Sequence, residues 1–146
     1  MRKTVKLLLL IGTMFLCSVS VFSQNKQTET CAYAYLPIKD NNSGKIQKYR
    51  GFGNEYISKS ILLKAPELLV EDFGAGYVIK SFQVATKIGL YYTEYAALGN
   101  QFSDQMRNDI FMKVTRGSKI YIENIKVEGK DGVERMLPVM LVIVVE

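Results

Sequence analysis

The chain is 146 residues long and 48% hydrophobic, with 19 basic and 14 acidic side chains and no histidine. The missing histidine removes Ser-His-Asp catalysis, Cys-His catalysis and histidine metal sites together. Three of the basic residues fall within the first six positions, which leaves 16 basic against 14 acidic residues and a charge of +2 on the remainder. That balance offers no electrostatic footprint for nucleic acid.

Met1–Lys6 is a basic start, Leu7–Phe22 is an apolar run of sixteen residues, and Ser23 ends it with a small side chain. This is the layout of a secretory signal peptide over residues 1–23, with cleavage expected between Ser23 and Gln24. A retained membrane anchor is the alternative, but the run is shorter than the roughly 18 apolar residues a spanning helix needs. A lipoprotein site at Cys17 is disfavoured because Leu16, directly before it, is not small. Residues 24–146 number 123, enough for one domain with its own core. Cys31 is the only cysteine after the leader, so an intramolecular disulfide is excluded; it pairs between chains or, more simply, packs as a small residue near a terminus.

Residues 24–55 read as a polar lead with a short strand and a loop. Gln24–Thr30 is polar enough to lack regular structure. Cys31–Leu36 alternates as a strand, with Tyr33 and Tyr35 on one face. Asp40–Gly44 is a turn; it resembles a calcium loop only faintly, since the glycine comes one place early and no later glutamate follows at the right spacing. Lys45–Asn54 reads as a loop with a weak return strand. Gly51-Phe52-Gly53 and Gly74-Ala75-Gly76 open no helix after a strand, so neither is a phosphate cradle.

Residues 56–146 read as the domain proper. Tyr56–Lys64 is a strand candidate stopped by Pro66, and Glu67–Asp72 fits a helical turn or a strand. Gly76–Thr86 is a strand with Val78, Phe82 and Val84 on one face and Lys80 and Thr86 marking where that face meets solvent. Lys87–Gly89 is a turn, and Leu90–Leu98 is a tyrosine-rich strand that closes a hairpin. Ser103 caps a helix over 103–116, whose Met106, Ile110, Phe111 and Val114 form an apolar stripe and whose end is Gly117. The closing segment, from Gly117 on, is a hairpin about Gly129-Lys130-Asp131-Gly132. Ile120 and Ile122 have one parity and Ile125 and Val127 the other, which predicts a β-bulge at Glu123-Asn124. Pro138 predicts a break in pairing. Val139–Val145 is apolar without alternation, hence buried on both faces or an edge that a partner covers.

Gly117–Leu137, with its Gly-Lys-Asp-Gly turn and the following Arg135 and Leu137, resembles the closing motif of the C-terminal domain of the GldM family. These are gliding-motility proteins that also form part of the type IX secretion apparatus of Bacteroidetes. Val78–Val84 is similar to that family's strand with a Val-x-Ser-Phe core, and Gly99–Met106 to its loop and helix start. The likeness covers about Ile61 to Val145. It implies a mainly β fold, an immunoglobulin-like antiparallel β-sandwich with one short α-helix (about 103–116), used for protein–protein contact. Lys130 stands where the family has proline. Large family members carry an inner-membrane helix and several periplasmic domains ahead of this one, whereas only a leader and a short lead precede it here, so the resemblance does not carry the motor role.

No catalytic, cofactor-binding or metal-binding residues are assigned. The carboxylates Glu67, Glu71, Asp72, Glu123, Glu128 and Asp131 would serve a glycosidase-type reaction only if two of them converged in a cleft; solvated turn and strand-end residues are the simpler reading. The expected function is therefore a non-enzymatic interaction module, without cofactor, exported to the periplasm or cell envelope or secreted. Its expected partners are envelope proteins or a second copy, and it meets the membrane only through the signal peptide during export. The alternative is a periplasmic domain that binds a small ligand or glycan on the face of Tyr91, Tyr92 and Tyr95.

Overall fold

A computed structural model describes residues 32–39, 43–51 and 55–145. The leader, Cys17, Gln24–Thr30, Cys31, most of the Asp40 turn and the Phe52-Gly53 half of one Gly-x-Gly lie outside the described residues. The fold is mainly β and consists of two sheets. Strands β1 (Tyr33–Lys39), β2 (Ile46–Tyr49) and β4 (Leu69–Glu71) form the smaller, in the order β2-β1-β4. The larger runs β3 (Glu55–Ile57), β9 (Met140–Val144), β7 (Lys119–Glu128), β5 (Val78–Ile88), β6 (Tyr91–Leu98), and β8 (Glu134–Met136) also pairs with β7. Every pair is antiparallel except β3–β9, where no hairpin dictates the direction and the strands lie parallel. No helix among the described residues is long and apolar enough to cross a membrane.

One core serves both sheets. Ala34 and Leu36 of β1 are buried with Phe82 and Val84 of β5, Ile120 and Ile122 of β7, and Met140, Val142 and Val144 of β9. The expected apolar stripe is in this core: Met106, Ile110, Phe111 and Val114 are all buried. Phe102 bridges Phe82 and Phe111 through two edge-on ring contacts, with centroids 5.4 and 5.2 Å apart.

The helical parts differ from expectation. Ser103 does cap a helical start, accepting the Met106 N–H at 3.2 Å. The segment Met106–Phe111 is then π-helical, with the Met112 N–H reaching back five residues to the Arg107 carbonyl. Gly117 follows a further turn; its φ is +85°, and its N–H donates to the Val144 carbonyl at 2.6 Å, so it hinges the chain into β7. The strand expected over Tyr56–Lys64 splits. β3 occupies Glu55–Ile57, and Ser58 then caps a helix, α1 (Lys59–Lys64), by accepting the Ile61 N–H. Ile61-Leu62-Leu63 is too short for periodicity to separate strand from helix, and only Leu62 is fully buried. Arg107 completes this corner by donating to the carbonyls of Leu63, Ala65 and Pro66, which satisfies acceptors that the end of α1 leaves free.

The bulge expected at Glu123-Asn124 is present, with Asn124 at φ +51° and its amide donating to the Gln83 side chain. Pairing runs Gln83↔Glu123 and then Ser81↔Lys126, so β7 carries one extra residue there. A second irregularity lies on the partner: between Ser81↔Lys126 and Ile79↔Val127 the extra residue is on β5. The two insertions cancel. They also correct the expected face of β5. Val78 is 63% exposed and Ile79 takes the core position, while Thr86 is fully buried and donates its hydroxyl to the Lys119 carbonyl at 2.8 Å.

Pro138 marks a break between β8 and β9, as expected, yet the register is the same on both sides: Lys126↔Met136 and Ile122↔Met140 lie four residues apart along each strand. The gap therefore sits opposite the bulge, where β7 offers no regular ladder. β9 is an interior strand between β3 and β7, and its burial alternates: Met140, Val142 and Val144 are in the core while Leu141 and Ile143 are half-buried on the outer face. Gly51, at φ +66°, passes so close to it that a β-carbon would sit 2.7 Å from that of Met140.

Asn124 tests the bulge. Replacing it with isoleucine forces a β-branched residue into the left-handed region and is expected to cost about 1–3 kcal/mol, while Asn124→Gly costs far less. Urea unfolding of the two variants checks this, and equal losses would show that the backbone conformation is not the constraint.

Candidate functional site

Of the six carboxylates that sequence reading singled out, Glu67, Glu71, Asp72, Glu128 and Asp131 are engaged in hydrogen bonds or ion pairs. Glu67 accepts from the Asn100 and Gln101 side chains at 2.8 and 2.9 Å and pins the loop between β6 and the π-helical segment. Asp72 accepts the N–H groups of Gly74 and Tyr77 and organises the Gly-x-Gly loop. Burial pushes its carboxyl up, but those backbone donors outweigh burial and hold it below the usual range. Glu128 pairs with Lys80 at 3.3 Å. Asp131 accepts from the two terminal guanidinium nitrogens of Arg135, at 3.0 and 2.6 Å, and from the Val133 N–H; these bonds lower its pKa from 3.8 to about 2. Glu123 is half-exposed on the outer face of the large sheet, beside Tyr92. Among the described residues no three of Asp, Glu, Cys and His are grouped to hold a metal ion.

Glu71 is the centre of a cluster that sequence reading missed. It lies on the outer face of the small sheet and accepts from the Tyr33 hydroxyl (2.6 Å), Lys48 (2.9 Å) and Arg50 (3.0 Å). Arg50 stacks over the Tyr33 ring and Lys48 over Tyr35, with 4.5 and 5.0 Å to the ring centroids. The Tyr33 hydroxyl and the two cations hold the Glu71 carboxyl down, from 4.5 to about 2. The alternation of Tyr33 and Tyr35 was a signal for this face. Their partners came from strands up to 38 residues away, which periodicity cannot join.

The tyrosines of β6 divide. Tyr95 donates its hydroxyl to Asp109 at 2.9 Å, and Lys113 donates to the same carboxylate at 2.7 Å. The Lys113 bond holds the Asp109 carboxyl down, and the bond to Asp109 pushes the Tyr95 phenol up. Tyr91 and Tyr92 are 79% and 62% exposed, and Leu98 at the other end of the strand is 90% exposed. Tyr91 and Tyr95 line an open cleft of about 270 Å³ with Ile88, Thr93, Asp109 and Lys113.

The outer face of the large sheet carries exposed or half-exposed apolar side chains set among charged ones. Register puts Tyr56 beside Ile143 and Ile143 beside Lys119; it also puts Leu141 beside Tyr121, Tyr121 beside the buried Ala85 and Ala85 beside Glu94, while Tyr92 lies one outward position further along β6, opposite Lys87. Tyr56 and Tyr121 are exposed, and Leu141 and Ile143 are half-buried. Gln83, Ala96, Leu98, Asn124 and Lys126 bound a second hollow, about 490 Å³, at the bulges on the same face.

A family model described as GldM C-terminal domain matches residues 39–146, which takes in every element from β2 onward. No curated protein matches the chain.

Glu71 makes the fold sensitive to acid. Its folded pKa lies below the ordinary value, so the stability it contributes is present above pH 4.5 and is lost as the pH falls toward 2. Urea midpoints of the wild type are expected to fall across that window, and those of Glu71→Gln to fall less. An identical pH profile in the two proteins would remove Glu71 from the account.

Proposed function

The chain belongs to the GldM C-terminal domain family, and from that premise we propose that it is an exported, non-enzymatic protein–protein interaction module of the bacterial cell envelope, related to the components of gliding motility and type IX secretion. The observation that carries the proposal is the group Tyr56, Ile143, Leu141, Tyr121 and Tyr92, exposed or half-buried on the outer face of the large sheet among the described residues. Aromatic and aliphatic side chains at such a face supply contact area at low entropic cost, and tyrosine adds a polar tip for orientation. The leader pattern of residues 1–23 supports export, with contact to the membrane confined to that step. The structural engagement of Glu67, Glu71, Asp72, Glu128 and Asp131 supports a role without catalysis.

One observation favours a second reading, in which the domain binds a small ligand or glycan. Tyr91 stands exposed at the mouth of the 270 Å³ cleft, where a sugar ring would stack. Against it, the polar groups of that cleft already satisfy one another, since Asp109 is bound by both Tyr95 and Lys113.

A photo-reactive amino acid at Tyr121, introduced into the chain in its native cell, tests the leading reading. Protein adducts in the envelope fraction are expected, with a control position at Lys130 on the turn giving at least about fivefold less, because hot-spot contacts concentrate at the centre of a patch. Absence of protein adducts, or a soluble oligosaccharide that protects Tyr91 from modification, would favour the second reading. N-terminal sequencing of the exported protein is expected to begin at Gln24, and recovery of an intact leader in the cytoplasm would remove the export step.

A further inference from the structure

We propose that two copies of this chain join edge to edge through β6, antiparallel, about a twofold axis at Tyr95, so that the two large sheets become one. The inference rests on the interaction-module reading and specifies one partner for it, a second copy. It starts from what the edges look like. β6 is the last strand of the large sheet, and its outer side has no neighbour among the described strands. The other edge strands are short: β3 and β4 have three residues each, and β2 has four and carries Lys48. β6 has eight residues, Tyr-Tyr-Thr-Glu-Tyr-Ala-Ala-Leu, pairs with β5 without a register shift, and contains no proline, lysine or arginine. Short strands, proline, charged side chains (lysine above all) and bulges are the usual devices that keep a free edge unpaired, and of these β6 carries a single charge, Glu94.

The backbone phase then selects the register. The Gly99 N–H donates to the Lys80 carbonyl at 2.7 Å, directly across the β5–β6 ladder. Antiparallel pairing alternates, so the odd-numbered residues of β6 bond to β5, and Tyr92, Glu94, Ala96 and Leu98 turn their N–H and C=O groups to the free side. These four positions are symmetric about Tyr95. A twofold axis there sets Tyr92 against Leu98 of the second copy and Glu94 against Ala96, and uses every outward group of the strand in about eight interchain hydrogen bonds. The side chains of the same four residues are exposed on the outer face, so Tyr92 and Leu98 cover one another at both ends of the junction. Shifting the axis by one residue to Glu94 would set the two glutamates directly opposite and leave Leu98 facing the Leu90 turn. The strand's one charge therefore rejects the neighbouring register and tolerates this one.

Sedimentation velocity of the full chain, with three variants at Ala96, tests the proposal. The wild type is expected to dimerise. Ala96→Pro removes an outward N–H without touching the β5 ladder and is expected to give a monomer with an unchanged far-UV spectrum. At low salt, Ala96→Lys, which faces Glu94 of the second copy, is expected to tighten the dimer about tenfold, and Ala96→Glu to loosen it about as much. A wild type that stays monomeric at all concentrations, or a dimer that Ala96→Pro leaves intact, overturns the proposal. Should the proline variant misfold, equal dimer affinity of the Lys and Glu variants overturns it. A monomer that still cross-links a different envelope protein at Tyr121 defeats the self-pairing and leaves the proposed function standing; a β6 dimer with no envelope adduct does the reverse.

Discussion

The ladder between β5 and β7 is the constraint on which the rest of the structure depends. Its side chains repeat every two residues, so one inserted residue would turn all that follows from the core to solvent. Two insertions of opposite sense avoid this. Val78↔Glu128 and Thr86↔Ile120 keep a single register at the ends of the ladder, while Ile79, Ile125 and Val127 all reach the core between them. The left-handed turn at Asn124 costs about 1–2 kcal/mol. Burying Ile125 and Val127 contributes about 1.5–3 kcal/mol each, so burial wins and the bulge is kept. The break at Pro138 falls opposite the same irregularity, where a missing backbone donor does no harm.

Fixing that ladder assigns the remaining elements. β9 is drawn to the far side of β7 and shielded by β3, with Gly51 crossing close above it. The π-helical segment and α1 close the core beside Phe82, and Arg107 joins them by holding three carbonyls. β6 then has only one neighbour among the described strands. The polar clusters at Glu71, Asp72 and Asp131 hold the small sheet, the loop between the sheets and the closing turn, so carboxylates that looked available for chemistry serve the architecture. Among the described residues, what remains uncovered is a group of apolar side chains on the outer face and a long free edge, two features through which a β-sandwich can meet another protein.

Much of this was legible in the order of the residues. The parity change from Ile122 to Ile125 announced a bulge, because a strand has a strict period and a break in it has few explanations. The stripe Met106, Ile110, Phe111 and Val114 named a buried face, although its helix is shorter and more widely wound than the stripe implied. The Gly-Lys-Asp-Gly turn, with Val78–Val84 and Gly99–Met106, pointed to the family that the comparison then matched over residues 39–146. Other features were not legible. The second insertion, at Lys80, is hidden because Val78 and Ile79 are both apolar and either parity fits; the sequence points Val78 inward, whereas Ile79 is the core residue. Thr86 reads as a surface residue until a carbonyl 33 positions away accepts its hydroxyl proton.

By itself the sequence determined the local terms: the class of fold, the turns, the bulge on β7, the apolar faces and a family likeness. These depend on periods and on backbone preferences that act within a few residues. Only the tertiary structure decided which strands are neighbours. It made β9 interior and β6 an edge, set β3 parallel, and gathered Tyr33, Lys48, Arg50 and Glu71 into one cluster. Those outcomes rest on contacts between residues tens of positions apart, where closing the chain costs entropy and shape decides which pairings recover it. The apolar run Val139–Val145 looks alike in the middle of a sheet and at its rim, and only its neighbours tell the two apart.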